Sequence, residues 1–122
     1  MKESGEMYLE TIYHLSDKGR LPVKSIDVSR KLGISRPSVN HAVNVLKSLG
    51  YIEQENYGDI IFTPAGMEYA GQVVYKHNVI TEFLIRSLGL DADTAETDAC
   101  RIEHIISDET LQKMAEYIGR RD

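Results

Sequence analysis

The sequence predicts a mainly α-helical fold with one short β-hairpin, and three observations lead to that prediction. Over most of the 122 residues, apolar side chains recur three or four positions apart, which is the period of an amphipathic helix. Two of the helical segments are separated only by Gly33 and Ile34, as in a helix-turn-helix. Directly after Gly50 the apolar pattern becomes extended, which indicates a hairpin. A helix-turn-helix followed at once by a hairpin is the order of elements in a winged helix.

The helix limits follow from caps and helix breakers. Ser25, Ser35 and Ser107 are predicted N-caps, because a serine hydroxyl can accept the unpaired N–H groups of a first turn. Thr63 and Pro64 suit the cap and first position of the longest helix. Helices are therefore expected at residues 4–15, 25–32, 35–49, 64–87, 93–106 and 108–118.

The hairpin and the second half of the chain complete the predicted organisation. Residues 51–55 and 60–62 are the predicted strands, joined by the turn-forming residues 56–59. We expect a winged helix-turn-helix domain at residues 1–63 and an all-helical domain at residues 64–122. A small helical domain with an apolar stripe usually packs against its symmetry mate, so the sequence predicts a homodimer. The third helix is expected to bury Val39, Val43, Leu46 and Leu49.

The net charge of −5 hides an uneven distribution along the chain. Residues 17–49 carry seven Lys or Arg against two acids, whereas residues 64–122 carry six against eleven. A basic helix-turn-helix favours double-stranded DNA as the partner, with the third helix in the major groove, over a small helical domain with solvated polar faces. The predicted DNA contacts lie at the start of that helix and at the hairpin tip: Ser35, Arg36, Pro37, Ser38, Asn40, His41, Tyr57 and Gly58.

Composition excludes several other classes of protein. One cysteine cannot form an internal disulfide, which fits a reducing compartment. The longest apolar runs are far shorter than the roughly 20 residues that a membrane helix needs. The N-terminus has no apolar signal segment. We therefore expect a cytoplasmic protein that does not contact a membrane.

A dense group of polar side chains lies near residue 100. Glu96, Cys100, Glu103 and His104 are spaced i, i+4, i+7 and i+8, which places them on one face of the predicted helix 93–106. Carboxylate, thiol and imidazole together are ligands for borderline transition metals, too soft a set for Mg²⁺ or Ca²⁺. The other interpretation is a buried cysteine beside a solvated helix edge. Four such groups on one stripe favour metal.

Three separated motifs resemble one known family. They are Glu6-Met7-Tyr8-Leu9-Glu10-Thr11-Ile12-Tyr13, Tyr75-Lys76-His77 and Ala99-Cys100-Arg101-Ile102-Glu103-His104. In this order they resemble the diphtheria toxin repressor family, the metal-dependent transcriptional repressors that include iron regulators and the manganese transport regulator. The resemblance covers the whole chain and implies the shorter form, without the C-terminal SH3-like domain of the iron repressors.

The resemblance also implies a ligand set. Four of its members match the primary site of the iron-type repressors: Met7, Cys100, Glu103 and His104. His77 matches a ligand of the second site, Glu96 stands where the iron type has a ligating histidine, and Glu10 matches a ligand of the manganese type. Two departures matter. Thr81 stands where the second site has a carboxylate, which weakens that site, and Glu10 stands where the iron repressors have a residue that is not a ligand. Thioether and thiol favour Fe²⁺, with Mn²⁺ as the other candidate and one or two ions per subunit.

The implied function is that of a repressor whose metal is a corepressor, preparing a dimer to bind a palindromic operator. One alternative is a winged-helix regulator that is indifferent to metal or senses redox state through Cys100. A less favoured one is a metal-dependent hydrolase with Glu103 as base. The chain has no HExxH motif and no Gly-rich phosphate cradle, so we expect neither an enzyme nor a small organic substrate.

Overall fold

A computed structural model of the protein describes residues 3–55 and 58–119. These residues form six helices and two short strands: α1 Glu3–Leu15, α2 Ser25–Leu32, α3 Arg36–Ser48, β1 Ile52–Glu53, β2 Ile61–Phe62, α4 Pro64–Leu88, α5 Ala92–Ile102 and α6 Asp108–Gly119. The chain divides into two compact units, Met1–Gly71 and Gln72–Asp122. The division falls inside α4, and the domain boundary between residues 63 and 64 stays a prediction.

The first unit is a winged helix built on a small apolar core. Helix α1 packs against α2 and α3, and these three helices meet the hairpin. The side chains buried most deeply come from all of these elements: Leu9, Ile12, Val23, Val28, Val39, Val43, Leu46, Ile52 and Ile60. Leu49 was expected in this core but is 53% exposed, because it is the C-cap after α3 rather than part of its buried face.

Two of the three capping residues predicted for the helix-turn-helix are confirmed. Gly33 ends α2 with a left-handed φ of 66°, which glycine adopts without a Cβ penalty. The hydroxyl of Ser35 accepts the N–H of Ser38 at the start of α3. The prediction of Ser25 as a cap was wrong: Ser25 is already helical, and the carboxylate of Asp27 accepts the backbone N–H of Lys24 instead.

The hairpin is antiparallel, with Ile52 opposite Phe62 and Glu53 opposite Ile61. An isolated bridge between Val23 and Ile60 attaches it to the segment before α2. The side-chain amide of Gln54 donates to the Ser25 hydroxyl and to the Gly58 carbonyl, at 3.3 and 2.8 Å. The base of the wing is thus anchored to the start of α2.

The start of α4 fits closely against the turn after α3. The Thr63 hydroxyl accepts the N–H of Gly66 as an N-cap, as expected, and donates to the Gly50 carbonyl at 2.6 Å. A Cβ on Gly66 would overlap the carbonyl oxygen of Tyr51. Only glycine therefore permits this approach of the helix to the hairpin.

The second unit contains the rest of α4 with α5 and α6. Its buried apolar side chains are Val79, Ile80, Leu84, Ala95, Ala99 and Leu111. Ser107 caps α6 as predicted, accepting the N–H of Thr110 at 3.1 Å. Helix α5 ends at Ile102, four residues before the predicted end, and residues 103–105 form a turn. Across the described residues, no helix combines the length and apolar character that crossing a membrane would need.

We expect Gly66→Ala to lower the free energy of unfolding by about 2 kcal/mol or more, because the new methyl group would force α4 away from the Tyr51 carbonyl. Gly71→Ala, also in α4, is the matched control. No described atom beyond its own helical neighbourhood lies within 4 Å of that methyl position. Because alanine has a higher helix propensity than glycine, Gly71→Ala should stabilise the protein by up to about 1 kcal/mol. Urea unfolding measures both, and equal effects would contradict the proposed close fit.

Candidate metal centre and nucleic-acid interface

The carboxylate of Glu103 is the most unusual group in the second unit. The residue is 1% exposed, although glutamate is seldom fully buried without a partner. Nδ1 of His77, on α4, lies 2.7 Å from Oε1 of Glu103. A donating Nδ1 fixes the imidazole tautomer whose lone pair is on Nε2, the form in which histidine binds metals.

The second oxygen of that carboxylate is unsatisfied. Within residues 3–55 and 58–119, Oε2 of Glu103 is buried and has no hydrogen-bond partner. Nε2 of His104 is 3.9 Å away, which is too long for a hydrogen bond, and the His104 side chain is 1% exposed. Sγ of Cys100 lies within 4.8 Å of a Glu103 carboxylate oxygen. The Glu103 carboxylate therefore has the imidazoles of His77 and His104 and the thiol of Cys100 near it, and one of its two oxygens has no hydrogen-bond partner among the described residues.

Early termination of α5 changes the predicted stripe. Glu103 and His104 lie beyond the last helical residue, so the four side chains do not share one regular helical face. Glu96 is exposed and lines a separate cavity of about 510 Å³ together with His77, Thr81 and Arg86. Oγ1 of Thr81 is the other buried oxygen without a hydrogen-bond partner in the described part of the chain. His77 thus contacts the Glu103 carboxylate and also lines this cavity.

Met7 and Glu10, the other two predicted ligands, belong to the first unit. Both are half-buried on α1, one turn apart. The Thr11 hydroxyl donates to the Met7 backbone carbonyl at 2.9 Å. The Met7 thioether is the group on that residue suited to a soft metal.

Helix α1 also buries an acid, Glu6, which is not among the residues singled out from the sequence. Glu6 is 9% exposed, and its Oε2 accepts the hydroxyl of Tyr69, on α4, at 2.5 Å. Burial first, and then the hydrogen bond to Glu6, raise the pKa of the Tyr69 phenol above its usual range. A signal was present in the sequence: Glu6 precedes Leu9 and Tyr13 by three and seven residues, on the face that the helix buries.

The predicted DNA contacts lie where a winged helix presents its recognition surface. Ser35, Arg36, Pro37, Ser38 and His41 are exposed at the start of α3, and Asn40 is half-buried. On the wing, the N–H of Gly58 donates to the Glu55 carbonyl at 2.6 Å. Tyr57, the other predicted wing contact, lies outside the described residues.

An apolar groove of about 560 Å³ runs beside this surface, between α1 and α3. Pro37, Ser38 and His41 form part of one wall, and Ser4, Gly5 and Tyr8 form part of the other. The exposed start of α3 therefore borders directly on α1 within the first unit.

We expect His77→Ala to lower the free energy of unfolding of the metal-free protein by about 2–3 kcal/mol, because it leaves the buried Glu103 carboxylate without its nearest hydrogen-bond donor. Glu82→Gln is the control, since it breaks an exposed ion pair with Arg86 one turn away and should cost no more than about 0.5 kcal/mol. Urea unfolding in a chelator measures both. A similar small loss for both variants would show that the His77–Glu103 pair is energetically unimportant.

Comparison with known proteins identifies both halves of the chain. The family model described as the N-terminal DNA binding domain of iron dependent repressors matches residues 1–60. The model described as their metal binding and dimerisation domain matches residues 63–122.

Individual relatives agree with these domain matches. An uncharacterised HTH-type transcriptional regulator of Methanocaldococcus jannaschii is 38% identical over 98% of this chain and 96% of its own length. The diphtheria toxin repressor of Corynebacterium glutamicum is 31% identical over 95% of this chain but only 50% of its own length. The crystal structure of IdeR from T. acidophilum superimposes with a TM-score of 0.81 at 31% identity, over 93% of this chain and 53% of that one.

The chain thus spans about half the length of the named repressors and nearly all of the archaeal regulator. The resemblance of the three sequence motifs is confirmed, as is the winged helix followed by a helical domain. This chain belongs to the iron-dependent repressor family.

Proposed function

We propose that this protein is a metal-dependent transcriptional repressor for which Fe²⁺, or alternatively Mn²⁺, is the corepressor. The observation that carries the proposal is Oε2 of Glu103, which is buried without a hydrogen-bond partner among the described residues, in a carboxylate that has His77, His104 and Cys100 near it. A buried carboxylate oxygen without a donor is costly, and a cation is the partner that would satisfy it. The matched family consists of DNA-binding repressors rather than enzymes, which supports this proposal over a hydrolase.

The donor chemistry fits a first-row divalent metal. Carboxylate, imidazole and thiol together suit Fe²⁺ better than Mn²⁺, because hard Mn²⁺ prefers oxygen and nitrogen. The bound ion would supply a positive charge beside Oε2 of Glu103, the carboxylate oxygen that has no hydrogen-bond partner among the described residues. We propose Glu103, His104 and Cys100 as the central ligands, with His77 oriented beside them. His77 and Glu96, facing the cavity at Thr81, are the candidates for a second ion.

Met7 and Glu10 complete the proposed ligand set on the evidence of the sequence motif. Both residues lie in the first unit, the unit that carries α3, so their binding to metal would link metal affinity to DNA affinity. By reciprocity, operator DNA would tighten metal binding by the same factor.

A homodimer on a palindromic operator is the proposed target complex. Exposed apolar side chains in the second unit, Ile85, Leu88 and Ile105, are candidates for the subunit interface. Two recognition helices must lie about 34 Å apart to enter successive major grooves. The exposed start of the recognition helix α3, with Arg36, is the candidate DNA-contacting surface. Gly58 and Tyr57 are the candidate DNA contacts of the wing.

The decisive experiment measures DNA binding as a function of metal. The metal-loaded protein first selects its duplex from a random pool, and binding to that duplex is then titrated anaerobically with Fe²⁺ and with Mn²⁺. The bound metal per chain is counted in parallel. Metal-dependent binding supports the proposal, and binding that is equally tight in a chelator would favour the metal-independent or redox-sensing regulator.

We expect His104→Gln to abolish metal-activated DNA binding or to require at least about 100-fold more metal, because a neutral amide replaces an imidazole at the buried cluster. His14→Gln, an exposed change on α1, should leave activation unchanged. Circular dichroism and gel filtration check that both variants stay folded and keep the same oligomeric state. A normal metal response from His104→Gln would misplace the proposed centre.

We expect Arg36→Ala to weaken DNA binding and to lower the magnitude of its salt slope by about one, because one phosphate contact would be lost. Lys113→Ala, an exposed change on α6, is the control and should leave the slope as it is. Metal affinity of the free protein should be the same in both. If affinity and slope are both unchanged in Arg36→Ala, that residue does not contact the DNA.

A further inference from the structure

The hydrogen bond between Glu6 and Tyr69 joins α1 to α4 inside the first unit. Its two ends are 63 residues apart in the chain, and the O–O distance is 2.5 Å. The carboxylate end is 9% exposed, so solvent cannot readily replace the phenol as its partner. Charge-assisted hydrogen bonds at such distances are short, strong and directional. The pair therefore fixes how far α1 is rotated and displaced relative to the start of α4.

Tyr69 is held firmly on its other side. Its ring meets the ring of Tyr51 edge to face, with centroids 5.1 Å apart and an interplanar angle of 69°. The Tyr51 carbonyl accepts the N–H of Thr63 at 3.1 Å and packs against Gly66. Strand β1 begins at the next residue, Ile52. The ring whose hydroxyl donates to Glu6 thus packs against Tyr51, the residue directly before β1 at the base of the wing.

The position of Glu6 on α1 gives the contact its importance. Met7 is the next residue, and Glu10 follows one helical turn later, on the same side of the helix as Glu6. Any rotation of α1 about its axis would carry both proposed ligands with it. Ligand atoms must be held to within about half an ångström for a site to reach its full affinity.

We infer that Tyr69 and Glu6 are positioning residues for the metal response, which hold α1 so that Met7 and Glu10 are presented in a fixed orientation. The inference rests on the proposed metal-dependent function and deepens it. Neither side chain binds the metal. Their hydrogen bond sets the orientation of the helix that carries two ligands and ties that helix to the base of the wing.

The test is Tyr69→Phe, which removes one oxygen and keeps the ring against Tyr51. We expect the Mn²⁺ concentration for half-maximal DNA binding to rise about tenfold, the lower end of the effect of partners one step removed from a metal. DNA affinity at saturating Mn²⁺ should stay within about twofold of the natural protein. Equilibrium dialysis with Mn²⁺ alone should show the same weakening, well below the melting temperature of either protein.

Matched variants separate positioning from general packing. Tyr13→Phe removes a hydroxyl from a half-buried ring on the same helix and should leave the metal midpoint unchanged. Glu6→Gln keeps an oxygen that can accept from Tyr69 and should stay close to the natural midpoint, whereas Glu6→Leu should match Tyr69→Phe. If Tyr69→Phe does not fold, the comparison of the two Glu6 variants decides the question.

The outcomes are distinct from those of the proposed function. A natural protein that responds to metal, together with an unshifted midpoint in Tyr69→Phe, overturns this inference alone. Equal midpoints for Glu6→Gln and Glu6→Leu overturn it as well. A natural protein whose DNA binding ignores metal overturns the proposed function, and this inference with it.

Discussion

The buried carboxylate of Glu103 is the constraint around which the second unit is arranged. Moving a carboxylate out of water is strongly unfavourable unless it is paired and hydrogen-bonded. Here one oxygen has His77 at 2.7 Å, while the other is buried without a hydrogen bond among the described residues. The fold thus tolerates an incompletely satisfied group at a place where cysteine and a second histidine also converge. Under the proposed function, a bound cation would be the missing partner of that oxygen.

Completion of that site by the proposed cation would link metal binding to folding and to the ordering of α1. A cation that binds the folded chain and not the unfolded one stabilises it by mass action. The same binding energy is available to order α1 if Met7 and Glu10 take part, as proposed. Glu6 and Tyr69 matter here because a helix already held in place costs less to order when the ligand arrives. The close fit of Gly66 against Tyr51 also holds the start of α4, and with it the Tyr69 ring that contacts α1.

Much of the fold could be predicted from sequence, because its signals are local. Ser35, Gly33 and Thr63 each act on backbone groups within a few residues, so their roles are readable without tertiary structure. The early end of α5 was not readable. No glycine or proline stops it after Ile102, and the turn coincides with the burial of Glu103 beside His77, 26 residues away in the chain.

The candidate site shows the same division. Cys100, Glu103 and His104 are near neighbours in the structure, as their closeness in sequence requires. They do not share the one regular helical face that the sequence predicted, because α5 ends at Ile102. Glu96 shares that spacing yet lies exposed at a different cavity. The pair of Glu6 and Tyr69 could not be found by spacing at all, since 63 residues separate its members. Long-range pairing needs the folded chain.

The proposed ligands also bear on how such a protein could distinguish metals. Affinity for divalent ions rises from Mn²⁺ to Fe²⁺ at nearly any set of nitrogen, oxygen and sulfur donors, so a soft Cys100 or Met7 reinforces an order that already exists. Discrimination must then come from how rigidly the donors are held and how many can engage at once. Glu10 would add a hard donor, whereas Thr81 supplies a hydroxyl at the cavity that Glu96 lines. Under the proposed function, we expect one dominant ion per subunit, bound at Glu103, because the neutral Thr81 hydroxyl is a poorer ligand for a second ion than a carboxylate would be.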